Sequence, residues 1–323
     1  MRLAFLGFGH VGRALARLLV ATRERHAFTV TAILTARHGA VVDKRGVDLA
    51  AALTRERLGD DAAPIGKLPA DVLVEMTTLD ARTGEPALTY IREALGARLH
   101  VVTSNKGPLA VAFRELHERA RANKRLLRYE ATVADCLPVF DLARAALPLA
   151  EIRELRGIVS STCNHVLSMA AGGASLHTAL AEAQRLGIAE ADPSNDLEGH
   201  DASAKAAILA NALLGADLTP ADVSREPIDD DAVADAWNAA AQGDRVRPLV
   251  HVVREGDGVR ATFGPRRLAP VDPLYAVDGF SMALELTTDL AGKVVVQLHK
   301  PGVDQVAYAI LTDLLDIAAT TRR

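Results

Sequence analysis

Acidic residues and a lysine are concentrated between Gly187 and Lys205. Five carboxylates fall within twelve residues, namely Glu190, Asp192, Asp196, Glu198 and Asp201. Asp201 and Lys205 are four residues apart, so in a helix their side chains share one face. The helix predicted over Ala202–Leu214 is nearly apolar all round, which indicates burial. A buried carboxylate–lysine pair points to acid–base chemistry. A structural ion pair beneath a solvated acidic loop is the alternative.

A glycine-rich turn near the N-terminus has the spacing of a dinucleotide fingerprint. It follows the apolar run Leu3–Leu6 and consists of Gly7, Phe8, Gly9, His10, Val11 and Gly12. The first glycine allows a tight turn, the second lets a pyrophosphate approach the backbone, and the third lets the helix pack on the strand. The N–H groups at the start of the helix attract phosphate. The strand–turn–helix context favours cofactor binding over a glycine-rich turn without a ligand.

The segment after the second predicted strand bears on which nicotinamide cofactor binds. A site for NAD usually carries Asp or Glu here, to accept from the ribose 2′-hydroxyl. This chain has Arg37 after the strand Phe28–Leu34 and no carboxylate before Asp43. A guanidinium matches a 2′-phosphate bidentately, so the sequence predicts NADP, with dual use of NAD left open. A solvated loop arginine is the alternative.

The elements around these residues predict an α/β protein with two different halves. In the first hundred residues, the strands Leu3–Leu6, Phe28–Leu34, Val72–Met76 and Leu99–Val102 alternate with helical patterns such as Pro86–Leu95. This alternation predicts a Rossmann-type, doubly wound parallel sheet. After about residue 128 the pattern changes to an α+β arrangement, with short strands such as Val250–Val253, Ala283–Leu286 and Val294–Leu298, and a closing helix at Val306–Ile317.

Composition excludes several classes of function. The chain has 323 residues, a net charge of −4 and 4% aromatic residues, which argues against a nucleic-acid-binding surface. The two cysteines have no metal-ligand spacing and fit a reducing compartment. No apolar run reaches the ~20 residues of a membrane span, and the N-terminus lacks a signal-peptide pattern. We therefore expect a cytoplasmic protein without membrane or nucleic-acid partners.

Taken together, the motifs resemble those of homoserine dehydrogenases, which interconvert L-aspartate 4-semialdehyde and L-homoserine with NAD(P)H. The resemblance covers most of the chain, and the combination of motifs is far more specific than the glycine turn alone. Besides that turn it rests on six segments, which are Val72–Met76, Thr83–Pro86, His100–Ala110, Tyr129–Val133, Gly157–Asn164 and Ala189–Lys205. It implies a dinucleotide-binding domain at 1–128, completed by residues 300–323, and a substrate-binding and dimerisation domain at 129–299, with no ACT-type regulatory domain.

The resemblance also assigns roles to individual residues. Lys205 matches the proton donor to the carbonyl oxygen and Asp201 its neighbour, while Lys106 matches a lysine near the nicotinamide and the substrate. Glu190 and Asp196 match carboxylates that hold the substrate's amino group. Further cofactor-binding positions are Thr103, Ser104, Asn105, Lys106 and Gly302. Reduction of an aldehyde builds negative charge on oxygen, so a cationic proton donor is chemically apt.

The cation site implied by the resemblance coincides with a departure from the usual sequence. In the family, the loop after Tyr129–Val133 holds a monovalent cation such as Na⁺, which here implies Glu130, Val133 and Asp135 as ligands. Small residues are usual at the positions of Ala134, Asp135 and Cys136. Because carbonyl ligands tolerate side-chain changes, the site remains an expectation. A homodimer is also expected, since the short strands of Val250–Leu298 would otherwise leave an exposed edge.

Two other functions remain open at this level. The first is a related NAD(P)-dependent oxidoreductase that acts on another small aldehyde or amino acid, and a nucleophilic Cys163 would suit an acylating variant of it. The second is a non-catalytic nucleotide-sensing protein. A sensor needs the glycine turn but neither Lys106 nor the Asp201–Lys205 pair, so the sequence favours the enzyme.

Overall fold

The structure is a computed structural model that describes residues 1–61 and 63–322. Its strands are β1 (Arg2–Leu6), β2 (Thr29–Leu34), β3 (Ala40–Val42), β4 (Val72–Glu75), β5 (His100–Thr103), β6 (Leu127–Arg128), β7 (Ile152–Ile158), β8 (Ser224–Arg225), β9 (Arg245–Glu255), β10 (Gly258–Leu268), β11 (Met282–Thr288) and β12 (Lys293–Leu298). Its helices are α1 (His10–Ala21), α2 (Leu49–Thr54), α3 (Ala87–Gly96), α4 (Lys106–Ala122), α5 (Val139–Asp141), α6 (Ser161–Ala170), α7 (Leu176–Arg185), α8 (Ser194–Leu197), α9 (His200–Leu214), α10 (Asp230–Ala241) and α11 (Val303–Thr321). They form two compact units, Met1–Cys136 with Gly302–Arg323, and Leu137–Pro301.

The first unit contains a six-stranded sheet in the order β3-β2-β1-β4-β5-β6. All neighbouring pairs are parallel except β2 with β3, which is antiparallel. The central strands are apolar runs buried on both faces, as parallel strands covered by helices are. The sheet confirms the predicted α/β class. It also contains an antiparallel edge strand, β3, whose three residues are too few to be predicted from a sequence pattern. Within this order, β1 lies between β2 and β4, where the direction of chain winding reverses.

The C-terminal helix α11 belongs to this first unit. It packs against α1, with Ile310 and Leu314 in the same hydrophobic core as Leu15 and Leu19. Both helices present apolar residues at helical spacing toward that core. The helix is longer at both ends than the predicted Val306–Ile317, because its first turn begins directly after Gly302 and its last turn extends to Thr321.

The second unit contains a largely antiparallel sheet in the order β12-β11-β7-β9-β10-β8. Strand β9 is much longer than the predicted Val250–Val253. It pairs along its whole length with β10, whereas β7 pairs with Val250–Val253. Pro248 lies outside the β7 pairing, where its missing N–H does not interrupt that ladder. The proline therefore breaks the sequence pattern of the strand without breaking the strand.

The helices of the second unit pack on this sheet. Helix α9, the longest of them, has 11 of its 15 residues buried and contacts β9 and β10. It begins after Gly199, whose φ of +77° is left-handed and whose Cβ would lie 2.5 Å from Phe263 Cδ1. Only glycine fits this position, so the start of α9 is fixed at His200. Within the described ranges, we find no helix that is both long and apolar enough to traverse a bilayer.

Candidate active site

A cavity of about 690 Å³ lies at the carboxyl ends of the parallel strands in the first unit. It is lined by the loops after β1, β2 and β4, by residues 63–65 before β4, and by the first turn of α1 and helix α3. This edge, at the reversal of chain winding, is where nucleotides bind in open α/β sheets. Of the predicted cofactor residues, the lining includes Gly7, Phe8, Gly9, His10 and Arg37.

The three glycines of the turn differ in what a side chain at each position would contact. Gly7 has φ +96°, and a Cβ there would lie 2.3 Å from the Met76 carbonyl oxygen. A Cβ on Gly12 would lie 2.9 Å from the Gly7 carbonyl oxygen. Gly9, in contrast, has φ −79°, and its Cβ would meet nothing within 4 Å. The fold therefore requires the first and third glycines, whereas the middle one leaves open space beside the backbone. That space, next to the N-terminus of α1, fits a pyrophosphate.

Arg37 lies in a tight, well-anchored loop on the cavity wall. The Thr35 hydroxyl donates to the Gly39 carbonyl at 2.8 Å and accepts from the His38 backbone N–H at 2.8 Å. Gly39 has φ +77° and no room for a Cβ beside the Gly59 carbonyl. The loop thus holds the Arg37 backbone in place while its side chain is exposed. This arrangement suits a residue that reads a ligand phosphate.

Arg13 also lines the cavity, although its helical position predicts a solvent-facing side chain. Its guanidinium donates to the Leu53 carbonyl at 2.8 Å and lies 5.1 Å from the centre of the Phe8 ring. The tertiary position of α2 draws this side chain off the polar face. No spacing in the sequence signals that contact.

The remaining predicted cofactor residues occupy several places in the first unit. Thr103 ends β5, Asn105 caps α4 by accepting from the Gly107 N–H at 3.1 Å, and Lys106 is the first residue of that helix. Ser104 lies between them, Val11 is in the first turn of α1, and Gly302 precedes α11. Glu75, which was not predicted to function, ends β4 fully buried and accepts hydrogen bonds from Thr77 and Thr103. The feature of the sequence that could have indicated a function for Glu75 is its place in an otherwise apolar strand.

The second unit brings Asp201 and Lys205 together on α9. The Lys205 Nζ lies 2.8 Å from Asp201 Oδ2 and donates to the Val159 carbonyl at 2.6 Å. Only 14% of the lysine side chain and 8% of the aspartate side chain are exposed. Asp201 sits in the first turn of α9, where the helix dipole favours its negative charge. The pair is therefore held in one geometry, largely shielded from water.

The Val159 carbonyl comes from the turn between β7 and α6, within the sequence motif Gly157–Asn164. Ser160 caps α6 by accepting from the Cys163 N–H at 3.3 Å. This cap fixes the turn and so fixes the carbonyl that accepts from Lys205. The motif thus contributes to the site through its backbone, which the sequence does not reveal.

The two predicted substrate carboxylates lie in the segment before α9. Asp196 is half-buried in α8, and its backbone carbonyl accepts from the Cys163 thiol at 3.3 Å. Glu190 is exposed, and its backbone carbonyl accepts from the Gln184 side chain at 3.1 Å.

Complete burial raises the pKa of Cys163 to about 12. A thiol in that state is protonated at neutral pH, which argues against a nucleophilic role.

Two buried carboxylates meet where the cation site was predicted. A Glu130 carboxylate oxygen lies within 4.8 Å of one from Asp313 in α11, and Asp313 accepts from the Glu130 backbone N–H at 2.9 Å. Val133 is buried, and Asp135 has a left-handed φ of +53°. Asp313 is far from the motif in sequence, so its proximity was not predictable.

Comparisons with known proteins agree with these two halves. The family model of the homoserine dehydrogenase NAD-binding domain matches residues 7–130, and that of homoserine dehydrogenase matches residues 138–315. The chain is 35% identical to the homoserine dehydrogenase of Methanocaldococcus jannaschii, with both chains fully covered. It is also 35% identical to the NAD(+)-dependent homoserine dehydrogenase of Pseudomonas canavaninivorans, with 100% of this chain and 97% of that one covered.

Solved structures give the same result. A putative homoserine dehydrogenase from Archaeoglobus fulgidus superimposes with a TM-score of 0.88 at 36% identity, covering 98% of this chain and 99% of that one. A hyperthermophilic archaeal homoserine dehydrogenase in complex with NADPH superimposes with a TM-score of 0.82 at 26% identity, covering 99% and 98%.

Proposed function

Because the chain belongs to the homoserine dehydrogenase family, which reduces L-aspartate 4-semialdehyde to L-homoserine with NAD(P)H, we propose that Lys205 is its proton donor. One observation carries this assignment. The Lys205 ammonium is held between Asp201 and the Val159 carbonyl at 2.8 and 2.6 Å, mostly out of water. These two contacts hold the ammonium in one position beside the carboxylate.

The bound cofactor supplies the hydride, and the chain supplies charge and a proton. As hydride reaches the carbonyl carbon, negative charge builds on the carbonyl oxygen. The Lys205 ammonium stabilises that charge and then transfers its proton to the oxygen. A buried lysine tends to lose its proton, and the adjacent Asp201 carboxylate opposes that loss. In the reverse direction Lys205 takes the proton from the hydroxyl of homoserine.

Substrate recognition is assigned to carboxylates and a second lysine. L-Aspartate 4-semialdehyde carries an ammonium, which Glu190 and Asp196 bind as charge-assisted hydrogen-bond acceptors. Lys106, at the start of α4, is assigned to the nicotinamide and substrate region on the basis of its motif. By these assignments the first unit binds the cofactor and contributes Lys106, and the second contributes Lys205 and the carboxylates that bind the substrate's ammonium.

Within the shared NAD(P) specificity of the family, we propose a preference for NADP. Arg37 is exposed on the cavity wall, and the loop that carries it is anchored at both ends. Support from relatives is divided, since one is named NAD(+)-dependent and another was solved with NADPH. The chain's own residues support NADP, because no acidic side chain follows β2 before Asp43.

A monovalent cation, a homodimer and a cytoplasmic location complete the proposal. Glu130, Val133 and Asp135 would hold a cation such as Na⁺, and the buried Asp313 beside Glu130 supplies further negative charge for it.

Strand β12 pairs with β11 and ends the order of the second sheet, which leaves an edge for a partner copy. A monomer in light scattering at micromolar concentration would contradict the dimer.

The substrate assignment is tested by turnover with two semialdehydes. NADPH consumption is followed with L-aspartate 4-semialdehyde and with succinate semialdehyde, which lacks the ammonium. We expect efficient turnover of the first alone, because the second leaves the carboxylates without their partner. Glu190→Gln and Asp196→Asn should raise the KM for L-aspartate 4-semialdehyde. They should therefore reduce the difference in catalytic efficiency between the two semialdehydes. Equal efficiency with both substrates would exclude ammonium recognition.

A further inference from the structure

Glu75 is a fully buried carboxylate to which no step of the reaction has been assigned. It ends β4, opposite Leu6 on one side of the ladder and Thr103 on the other. Its Oε1 accepts from the Thr77 backbone N–H at 2.7 Å and from the Thr77 hydroxyl at 2.6 Å. Its Oε2 accepts from the Thr103 hydroxyl at 2.6 Å. The two carboxylate oxygens therefore serve two different loops.

These loops are the ones that follow β4 and β5. Thr77 and Thr78 line the cofactor cavity. The Thr103 hydroxyl also accepts from the Asn105 N–H at 3.0 Å, and the Asn105 side chain donates to the Thr78 carbonyl at 3.5 Å. The hydrogen bonds thus form a closed ring through both loops, with Glu75 as its only charged member.

One member of the ring, Asn105, lies at the start of α4. Asn105 caps that helix, and Lys106, the lysine assigned to the nicotinamide and substrate, is its first residue. A shift of Thr103 would therefore move the cap and the backbone of Lys106 with it. Glu75 acts on the lysine only through these intermediates.

Packing alone does not explain a glutamate at this position. Burying a carboxylate is costly unless it is hydrogen-bonded, and here burial raises the pKa of Glu75 despite the hydrogen bonds that it accepts. An apolar side chain of similar volume would fill the space without that cost. It could not accept hydrogen bonds from two loops at once.

We propose that Glu75 is a positioning residue that aligns the nicotinamide end of the cofactor site by tying the β4 and β5 loops together. The order of the strands in the sheet supports a position of Glu75 at the nicotinamide end of the cofactor site. Arg37 follows β2, on one side of β1, and the Glu75 ring lies over β4 and β5, on the other. A dinucleotide that crosses the winding reversal with its adenosine at β2 has its nicotinamide over β4 and β5. The inference rests on the proposed cofactor site.

Glu75→Gln tests the role while keeping the side chain's shape. The amide retains one acceptor oxygen but presents an NH₂ group to the other loop, so one link is lost. Misplacement by about 1 Å can cost ~10²-fold in rate, and we expect kcat to fall by ~10- to 100-fold. The dissociation constant of adenosine 2′,5′-bisphosphate, a probe of the adenosine end alone, should change by less than ~2-fold on the same argument.

A matched pair of threonine variants separates positioning from stability. Thr103→Val removes the hydroxyl that joins Glu75 to Asn105. Thr31→Val removes an equally buried hydroxyl in β2, which donates to the Leu3 and Pro69 carbonyls, away from both loops. Both variants should lose similar unfolding free energy, but only Thr103→Val should lower kcat. This pair decides the question if Glu75→Gln does not fold.

Three results would overturn the role of Glu75. They are a folded Glu75→Gln enzyme with unchanged kcat, an equal fall of kcat in Thr31→Val and Thr103→Val, and a loss of adenosine 2′,5′-bisphosphate binding as large as the loss of kcat. Failure of the cofactor site itself would look different, because Gly9→Ala would then leave NADPH binding unchanged whatever Glu75 does.

Discussion

The cofactor cavity of the first unit and the Asp201–Lys205 pair of the second are built in opposite ways. At the cavity, the decisive feature beside Gly9 is open space, and most of the lining residues are uncharged. At the pair, the decisive feature is charge, held within 2.8 Å and shielded from water. One site works by leaving room and the other by fixing an ion pair.

This difference predicts which changes each site tolerates. Added atoms at the cavity should block the ligand while leaving the fold intact. Removal of charge at the pair should stop chemistry while leaving cofactor binding intact. Two charged residues of the first unit depart from this contrast, namely the exposed Arg37 on the cavity wall and the buried Glu75.

The largest effect is expected from removing the proton donor. Lys205→Ala should lower kcat by ~10²–10⁴, the usual contribution of a positioned proton donor. The NADPH dissociation constant should stay nearly unchanged, because the glycine turn belongs to the other unit. Stopped-flow turnover and fluorescence titration measure the two quantities. Arg185→Ala, which breaks the exposed Glu182–Arg185 pair on α7, is the control and should keep normal kcat.

The next effect concerns one cofactor only. A charge-assisted hydrogen bond contributes ~1.5–3 kcal/mol. Arg37→Ala should therefore raise the KM for NADPH by about ten- to a hundredfold and leave that for NADH nearly unchanged. Steady-state kinetics with both cofactors check this. Equal changes for the two would mean that Arg37 does not contact the 2′-phosphate.

Shape rather than charge is tested at Gly9. Inserting a methyl group where the pyrophosphate packs should cost ~1–3 kcal/mol of NADPH binding. The melting temperature of Gly9→Ala should not fall, because the new Cβ meets no protein atom within 4 Å. Gly96→Ala, also in open space at the end of α3, is the control for NADPH binding. Undiminished NADPH binding by Gly9→Ala would place the cofactor elsewhere.

The smallest effect is a pH dependence of stability from Glu75. Burial raises its pKa in the folded chain above that in the unfolded chain. Its contribution to stability is therefore fully present below the unfolded pKa and is lost as pH rises through the folded pKa. The unfolding free energy of the wild type minus that of Glu75→Gln should fall over this window. Denaturant titrations across the pH range measure it, and a difference that rises with pH would refute the assignment.

Elements with a repeating pattern or a fixed spacing were predictable from the sequence. The glycine turn, the parallel strands and the core of α9 follow from local residue types, and the family and fold class are confirmed. The approach of Lys205 to Asp201 followed from their four-residue spacing on α9. The roles of the site residues remain predictions.

Contacts made only by tertiary structure were not predictable. The Val159 carbonyl reaches Lys205 across 46 positions, and Asp313 reaches Glu130 across 183. Backbone groups carry no residue type that a pattern could reveal. The Arg13 guanidinium donates to the carbonyls of Leu53 and Arg55, about 40 positions away, and no spacing in the sequence signals these contacts. Glu75 was visible as a charge in an apolar strand, but its partners in two loops were not.

A double-mutant cycle on Lys205→Ala and Asp201→Asn tests the central claim most directly. The rate of NADPH oxidation in a single turnover is measured for the wild type, both single variants and the double variant. If the two residues act as one catalytic unit, each single change lowers the rate strongly, and the double variant loses much less than the product of the two. Near-normal rates in folded variants that lose only stability would show that the pair is a structural salt bridge and that the proton comes from another group.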